Sequence, residues 1–162
     1  MLNNRLESLR EEIDLSLIDM AKELGVSDSM YSRWEKGREL IPARRIYQIA
    51  NYYKISIDYI LGLSKEKQNI LSDSEINYDL VSNRALEIRQ DYGESLRTFA
   101  KRLNTSSSTW SAYETGKVLI LSAFIYEICK FGGYSADWIL GRSDVKFRSD
   151  LFNNGTNNCK NL

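Results

Sequence analysis

"LSLIDMAKELGVSDSMYSRWEKG", residues 15–37, is the stretch whose reading decides the fold. Leu17, Met20, Ala21 and Leu24 recur at i, i+3, i+4 and i+7, the spacing that gathers apolar side chains on one helix face. Ser16, with Asp19 three residues later, makes a capping box at the start of that helix. "GVS", residues 25–27, then supplies a glycine that stops one helix and a serine that caps the next. Two helices joined by so short a turn cross steeply.

Further along, Ile46, Ile49, Ala50 and Tyr53 repeat the helical spacing, Ser56 is another N-cap, and Gly37 and Gly62 are further stops. These marks predict five short helices near 3–13, 16–24, 27–36, 42–53 and 56–61. No segment alternates long enough to make a strand, so the expected fold class is all-α.

Sliding the chain against itself by 79 positions aligns residues 4–64 with 83–143 without a gap, at about 24 identities. Apolar positions persist across the pair: Leu17 and Leu96, Leu24 and Leu103, Ile46 and Ile125, Ile49 and Ile128, Ile60 and Ile139. Ser95, Ser106 and Ser135 take the cap positions, Gly116 and Gly141 remain, and Gly25 becomes Asn104. Asparagine is the non-glycine residue that best tolerates a left-handed turn, so the second copy keeps its fold. The expected organisation is domain 1 over 1–64, a polar linker over 65–82, domain 2 over 83–143 and a tail over 144–162 whose last ten residues fray.

Composition sets the outer limits. At 43% apolar and 27% charged residues, with one proline, the chain is globular rather than disordered or fibrous. Basic and acidic residues balance at 22 each, so any affinity for nucleic acid must be local. There is no histidine, which removes the commonest general base and zinc ligand. With no nucleophile, metal or phosphate-loop constellation either, neither an enzyme nor a cofactor, metal or small-molecule ligand is expected. Cys129 and Cys159 have no paired spacing and read as free thiols. The charged start "MLNNRLESLREEIDL" lacks a signal-peptide core, and no run of about 18 apolar residues occurs, so the expected location is cytoplasmic and away from membranes.

The helix, "GVS" turn and second helix, followed by "RELIP", a further helix and "SIDYILG", resemble the helix-turn-helix domain of the phage repressor and Cro-type (XRE-like) transcriptional regulators. "ESLRTFAKRLNTSSSTWSAYETG" through "SADWILG" resembles it again. The resemblance covers about 122 residues and implies two tandem lambda-repressor-like five-helix domains in a sequence-specific DNA-binding regulator, a repressor in role. It places base contacts on Ser27, Asp28, Ser29 and Arg33, with the second helix of the pair in a major groove. Arg33 can fork onto guanine O6 and N7, while its plainer reading is a solvated surface arginine. Asp28 can accept from cytosine N4 or simply favour the helix N-terminus. Lys36, Arg38, Arg44 and Arg45 are placed to touch phosphates. The resemblance also implies a partly buried ion pair between Arg10 and Glu35, recurring as Arg89 and Glu114. Trp34, Tyr31, Tyr59 and their counterparts Tyr113, Trp110 and Trp138 read as core or interface aromatics rather than base-stacking ones.

The second copy departs from the pattern. Arg33 becomes Ala112, Lys36 becomes Thr115, Arg44 becomes Ala123 and Arg45 becomes Phe124. Its reading face holds Ser106, Ser107, Ser108 and Thr109, with Lys117 at the place of Arg38, and these can meet either DNA or a partner. New charges, Arg97, Lys101 and Arg102, lie on the preceding helix, and Leu17 and Leu96 stand where the family often has a phosphate-binding glutamine. Three readings stay open: both domains bind DNA; the first binds DNA while the second serves a homodimer or another protein partner; or the protein is an antirepressor-like or antitoxin-like interaction module. A flexible linker of 18 residues would span roughly 23 Å and could stretch towards about 60 Å, enough for successive major grooves about 34 Å apart. An apolar run, "VLILSAF", residues 118–124, is either an exposed contact patch or part of the second core.

Overall fold

A computed structural model describes residues 3–151. Within them the chain is all-helical: α1 (Leu6–Glu12), α2 (Leu17–Glu23), α3 (Asp28–Glu35), α4 (Ala43–Tyr53), α5 (Ile57–Ile60), α6 (Tyr78–Asp91), α7 (Leu96–Arg102), α8 (Ser107–Glu114), α9 (Ser122–Gly132) and α10 (Ala136–Ile139). Helices α7 to α10 each begin and end 79 residues after α2 to α5. The two halves thus take up the same local structure over these four helices. Among the described residues no helix is long and apolar enough to cross a membrane.

The expected caps form. Ser16, Ser27 and Ser56 accept from the backbone N–H groups of Asp19, Met30 and Tyr59, and Ser95, Ser106 and Ser135 repeat the bond in the second half. Asn104 takes φ 53° at the turn where Gly25 takes 64°. The buried apolar residues form one cluster, to which the first half gives Leu6, Leu9, Met20, Leu24, Tyr31, Trp34, Ile46 and Ile49 and the second gives Ile88, Phe99, Trp110, Ile125 and Ile128. Tyr59 is half-buried and Trp138 buried, so the aromatic pairs do pack inward.

Two arginine braces recur in each half. Arg10 in α1 bonds Glu35 in α3 at 2.6 Å, and Arg89 bonds Glu114 at 2.5 Å. Arg5 donates to the carbonyls of Tyr59 and Ser64 and lies 4.1 Å over the Tyr59 ring. Its counterpart Arg84 donates to the carbonyls of Trp138 and Ser143, 4.9 Å over the Trp138 ring. The first brace ties the opening helix of each half to α3 or α8, and the second ties its start to the end of the unit.

The region expected to be a loose linker is packed. Ser56 donates its N–H to Gln68 O and Ile70 donates to Lys54 O, each at 2.9 Å, and Tyr47 Oη meets Ser74 Oγ at 3.0 Å. Asn77 then caps α6, which starts within the expected linker and is twice as long as α1. The start of the expected tail does the same for the second half, with Ser135 N–H donating to Lys146 O and Arg148 N–H to Gly133 O. The packed units therefore run past 64 and 143. The expectations for frayed residues 153–162 and for Cys159 lie outside the described residues. Cys129 is free and buried, and burial pushes its thiol pKa well up.

The halves meet where α5 faces α10. Asp137 Oδ2 accepts from Ile57 N–H at 2.8 Å, while Asp58 Oδ1 accepts from Ala136 N–H at 2.8 Å and Asp58 Oδ2 from Ser135 Oγ at 2.7 Å. Arg142, with no exposed side-chain surface, donates to Asp137, to Asn51 Oδ1 at 2.8 Å, to Ile55 O at 2.9 Å and to Ala50 O at 3.1 Å. The guanidinium thereby adds a donor to Ala50 O in the last turn of α4 and to Ile55 O just beyond it, at the end of a helix where positive charge is favoured. Burial, reinforced by the facing Asp137, pushes the Asp58 carboxyl up to about 7.

Candidate nucleic-acid interface

Helix α3 divides along its length into a held face and a presented face. Tyr31 and Trp34 are buried and meet edge to face at 6.4 Å between centroids, which fixes the helix against the core. The Tyr31 hydroxyl is desolvated, and its pKa rises far above the ordinary phenol value. On the other side Ser27, Asp28, Ser29, Met30 and Arg33 are exposed, so the residues carried over as base readers do share one solvent face.

Each has a local partner. Ser27 Oγ caps Met30 N–H at 3.2 Å and meets Ser29 Oγ at 3.2 Å, and Asp28 Oδ1 accepts from Ser29 N–H at 2.9 Å. Arg33 Nε donates to Glu39 Oε2 at 2.7 Å, with both side chains about half exposed. An exposed ion pair contributes about 0.2–1 kcal/mol, against about 1–3 kcal/mol of discrimination for a bidentate guanine contact. A guanine edge can therefore draw Arg33 away from Glu39.

Of the four phosphate candidates, Lys36, Arg38 and Arg44 are exposed beyond the C-terminal end of α3. Arg45 is half-buried and donates to Leu24 O at 2.9 Å and Gln48 Oε1 at 2.8 Å. It braces α4 against the end of α2, a role that its neighbouring arginines gave no reason to expect.

In the second half Ser106 Oγ caps Thr109 N–H at 3.1 Å and lies 2.9 Å from Ser108 Oγ. Ser106, Ser108 and Lys117 are exposed, while Ser107 and Thr109 are half-buried. On α7, Arg97 and Lys101 are exposed. Arg102 instead pairs with Glu94, whose carboxyl pKa is held low by that hydrogen bond, and lies 5.4 Å from the Tyr92 ring centroid. The apolar run splits: Ile120 is buried and Phe124 packs on Tyr113 at 5.8 Å, whereas Val118 and Leu121 are more than half exposed.

The residues that sequence reasoning missed are Asp58, Asp137, Arg142 and the pair Arg5 and Arg84. The recurrence of an aspartate and an arginine at the offset of 79 was the one available signal for four of them; Arg142 has only Leu63 as its counterpart.

A family model described as helix-turn-helix matches residues 6–60. An uncharacterized HTH-type transcriptional regulator of Bacillus subtilis (strain 168), YobD, is 32% identical over 66 residues, 41% of this chain and 59% of that protein. The chain thus spans somewhat over half the length of this curated relative. No solved structure matches. With its α2–turn–α3 geometry and the family match over the same residues, the stretch 6–60 is a helix-turn-helix domain.

Proposed function

We propose that the chain is a sequence-specific DNA-binding transcriptional regulator, a repressor in role, built from two tandem helix-turn-helix domains with α3 in the major groove. The observation that carries this reading is the presented face of α3. Asp28, Ser29 and Arg33 lie exposed along it, with Lys36, Arg38 and Arg44 beyond its end, within the stretch 6–60 that the family model matches. In this reading Arg33 discriminates bases, and the exposed cations set register on the phosphates. A repressor needs no chemistry beyond occupancy, which suits a chain without histidine.

A second reading gives the second half to a protein partner. It is favoured by Val118 and Leu121, 53% and 55% exposed beyond α8, and by the loss of the arginines corresponding to Arg33 and Arg44.

The test is retention of fragments from a genomic library by the purified full chain at about 0.15 M salt, followed by a salt titration on the enriched sequence. Selective retention with a steep fall of log K against log salt is expected, and Arg33→Ala should lower discrimination at one base position by about 1–3 kcal/mol while leaving the salt slope nearly unchanged. Retention that is unselective, or equally selective in Arg33→Ala, removes the assignment of α3 as reader.

A further inference from the structure

The contacts between α5 and α10 are reciprocal. Asp137 caps the Ile57 N–H from one side, and Asp58 caps the Ala136 N–H from the other. Ala136 lies 79 residues after Ile57, and Asp137 lies 79 residues after Asp58. A contact in which i meets j while the equivalent of j meets the equivalent of i is isologous, the signature of a two-fold dimer interface. Here both partners belong to one chain. By the same offset of 79 residues, α8 is the counterpart in the second half of α3 in the first. On the first half's side, Arg38, Glu39 and Leu40, just beyond α3, border a cleft closed by Ala123, Tyr126 and Lys130 of α9.

We infer that the two halves are a dimer built into a single polypeptide, so that one molecule engages one duplex at a bipartite, asymmetric site through α3 and α8 together. This rests on the DNA-binding reading above. The linker does not act as a tether between independent modules, because residues 68–77 are bonded to the first unit and the start of α6 follows directly. The spacing of the two elements is set by the buried Asp58, Asp137 and Arg142 contacts rather than by chain entropy. Dimeric helix-turn-helix proteins bind half-sites about 10–10.5 base pairs apart and repeat one reading face twice. This chain presents two different faces. The α3 face offers Asp28 and Arg33 and specifies its element sharply, whereas the α8 face offers Ser108 and, in the place of Arg33, Ala112, and holds mainly backbone. Val118 and Leu121 then need no second copy for DNA binding.

The experiment takes the full chain on a duplex selected from the library and measures the mass of the complex, the hydroxyl-radical footprint and the effect of Ser108→Glu. Ser108 is exposed in the first turn of α8, where an acid suits the helix dipole but opposes phosphate, so the variant should unfold at the same temperature as the parent. The expected result is one chain per duplex and two protected patches about 10–10.5 base pairs apart. Ser108→Glu should lose only the second patch, with about 10²- to 10⁴-fold lower affinity. Two chains per duplex, or a single patch indifferent to Ser108→Glu, overturns the built-in dimer while Arg33-dependent selectivity leaves the proposed function intact. Absence of any selective duplex binding removes both.

Discussion

Asp58 shows how far a residue's role can depart from its local context. At the third position of "SIDYILG" it has the appearance of an acid favouring a helix N-terminus, and α5 does begin at Ile57. Yet it is 5% exposed, facing Asp137 with Arg148 and the buried Cys129 thiol nearby, and its pKa is pushed up to about 7. Its folded form therefore holds a proton that the unfolded chain releases near pH 3.9. The contribution of this group to stability is complete below that value. It is lost as pH rises towards 7, because the unfolded state binds fewer protons across the window. Asp58→Asn keeps an acceptor for the Ala136 N–H and removes the titration. The variant should gain stability relative to the parent as pH rises from 4 to 8, read from urea unfolding at several pH values. Glu94, whose pKa is held low by Arg102, acts in the opposite sense but equally in both proteins, so it cancels in the difference. A difference independent of pH would show that Asp58 is ionised throughout.

Elements were the most legible level, because their signals are local. Six serine caps and the run of glycine stops placed the helices to within a few residues, since each mark acts on its own backbone neighbours. The first helix was read as starting at residue 3 but begins at Leu6, where Asn4 Oδ1 accepts from the Leu6 N–H at 3.0 Å and takes up one of the end donors. The longer α6 escaped because Asn77 lies in a polar stretch resembling a linker. The α2–α3 turn offers a clean test of how each copy closes it. A Cβ built on Gly25 would meet nothing within 4 Å, so substitution there is resisted only by the left-handed backbone at φ 64°. Gly25→Ala should then cost about 1–2 kcal/mol and Gly25→Asn, the residue of the second copy, clearly less, both read from thermal unfolding. Equal costs would mean that contacts rather than backbone preference govern the turn.

At the scale of the molecule the sequence was least informative, for a physical reason. Apolar periodicity identifies what is buried, but it carries no sign of the buried polar bonds between the halves, and a buried Arg142 has the same one-letter signature as a solvated one. Its counterpart is Leu63, so the repeat that disclosed the fold concealed the one side chain that breaks its symmetry. The packing of the polar stretch 65–82 is hidden similarly, because its bonds run to Lys54, Ser56 and Tyr47, earlier in the chain and without a local pattern. Arg142 makes the coupling of the halves testable. Arg142→Ala leaves Asp137 buried beside Asp58 without its hydrogen-bonded guanidinium and removes the side-chain donor to Ala50 O, a loss of about 3–5 kcal/mol. That loss falls on the contact between the units, since Arg142 bonds Asn51, Ile55 and Ala50 across it, while Leu24, Ile46 and Trp34 in one half and Phe99, Trp110 and Ile125 in the other are untouched. In calorimetry the parent should unfold in a single transition whose van't Hoff and calorimetric enthalpies agree, and Arg142→Ala should show two separable transitions or a van't Hoff enthalpy well below the calorimetric one. A lower but still single, fully cooperative transition would mean that the packed segment 68–77 alone suffices to couple the halves, and the buried charge cluster would then be a contribution to stability rather than the joint between them.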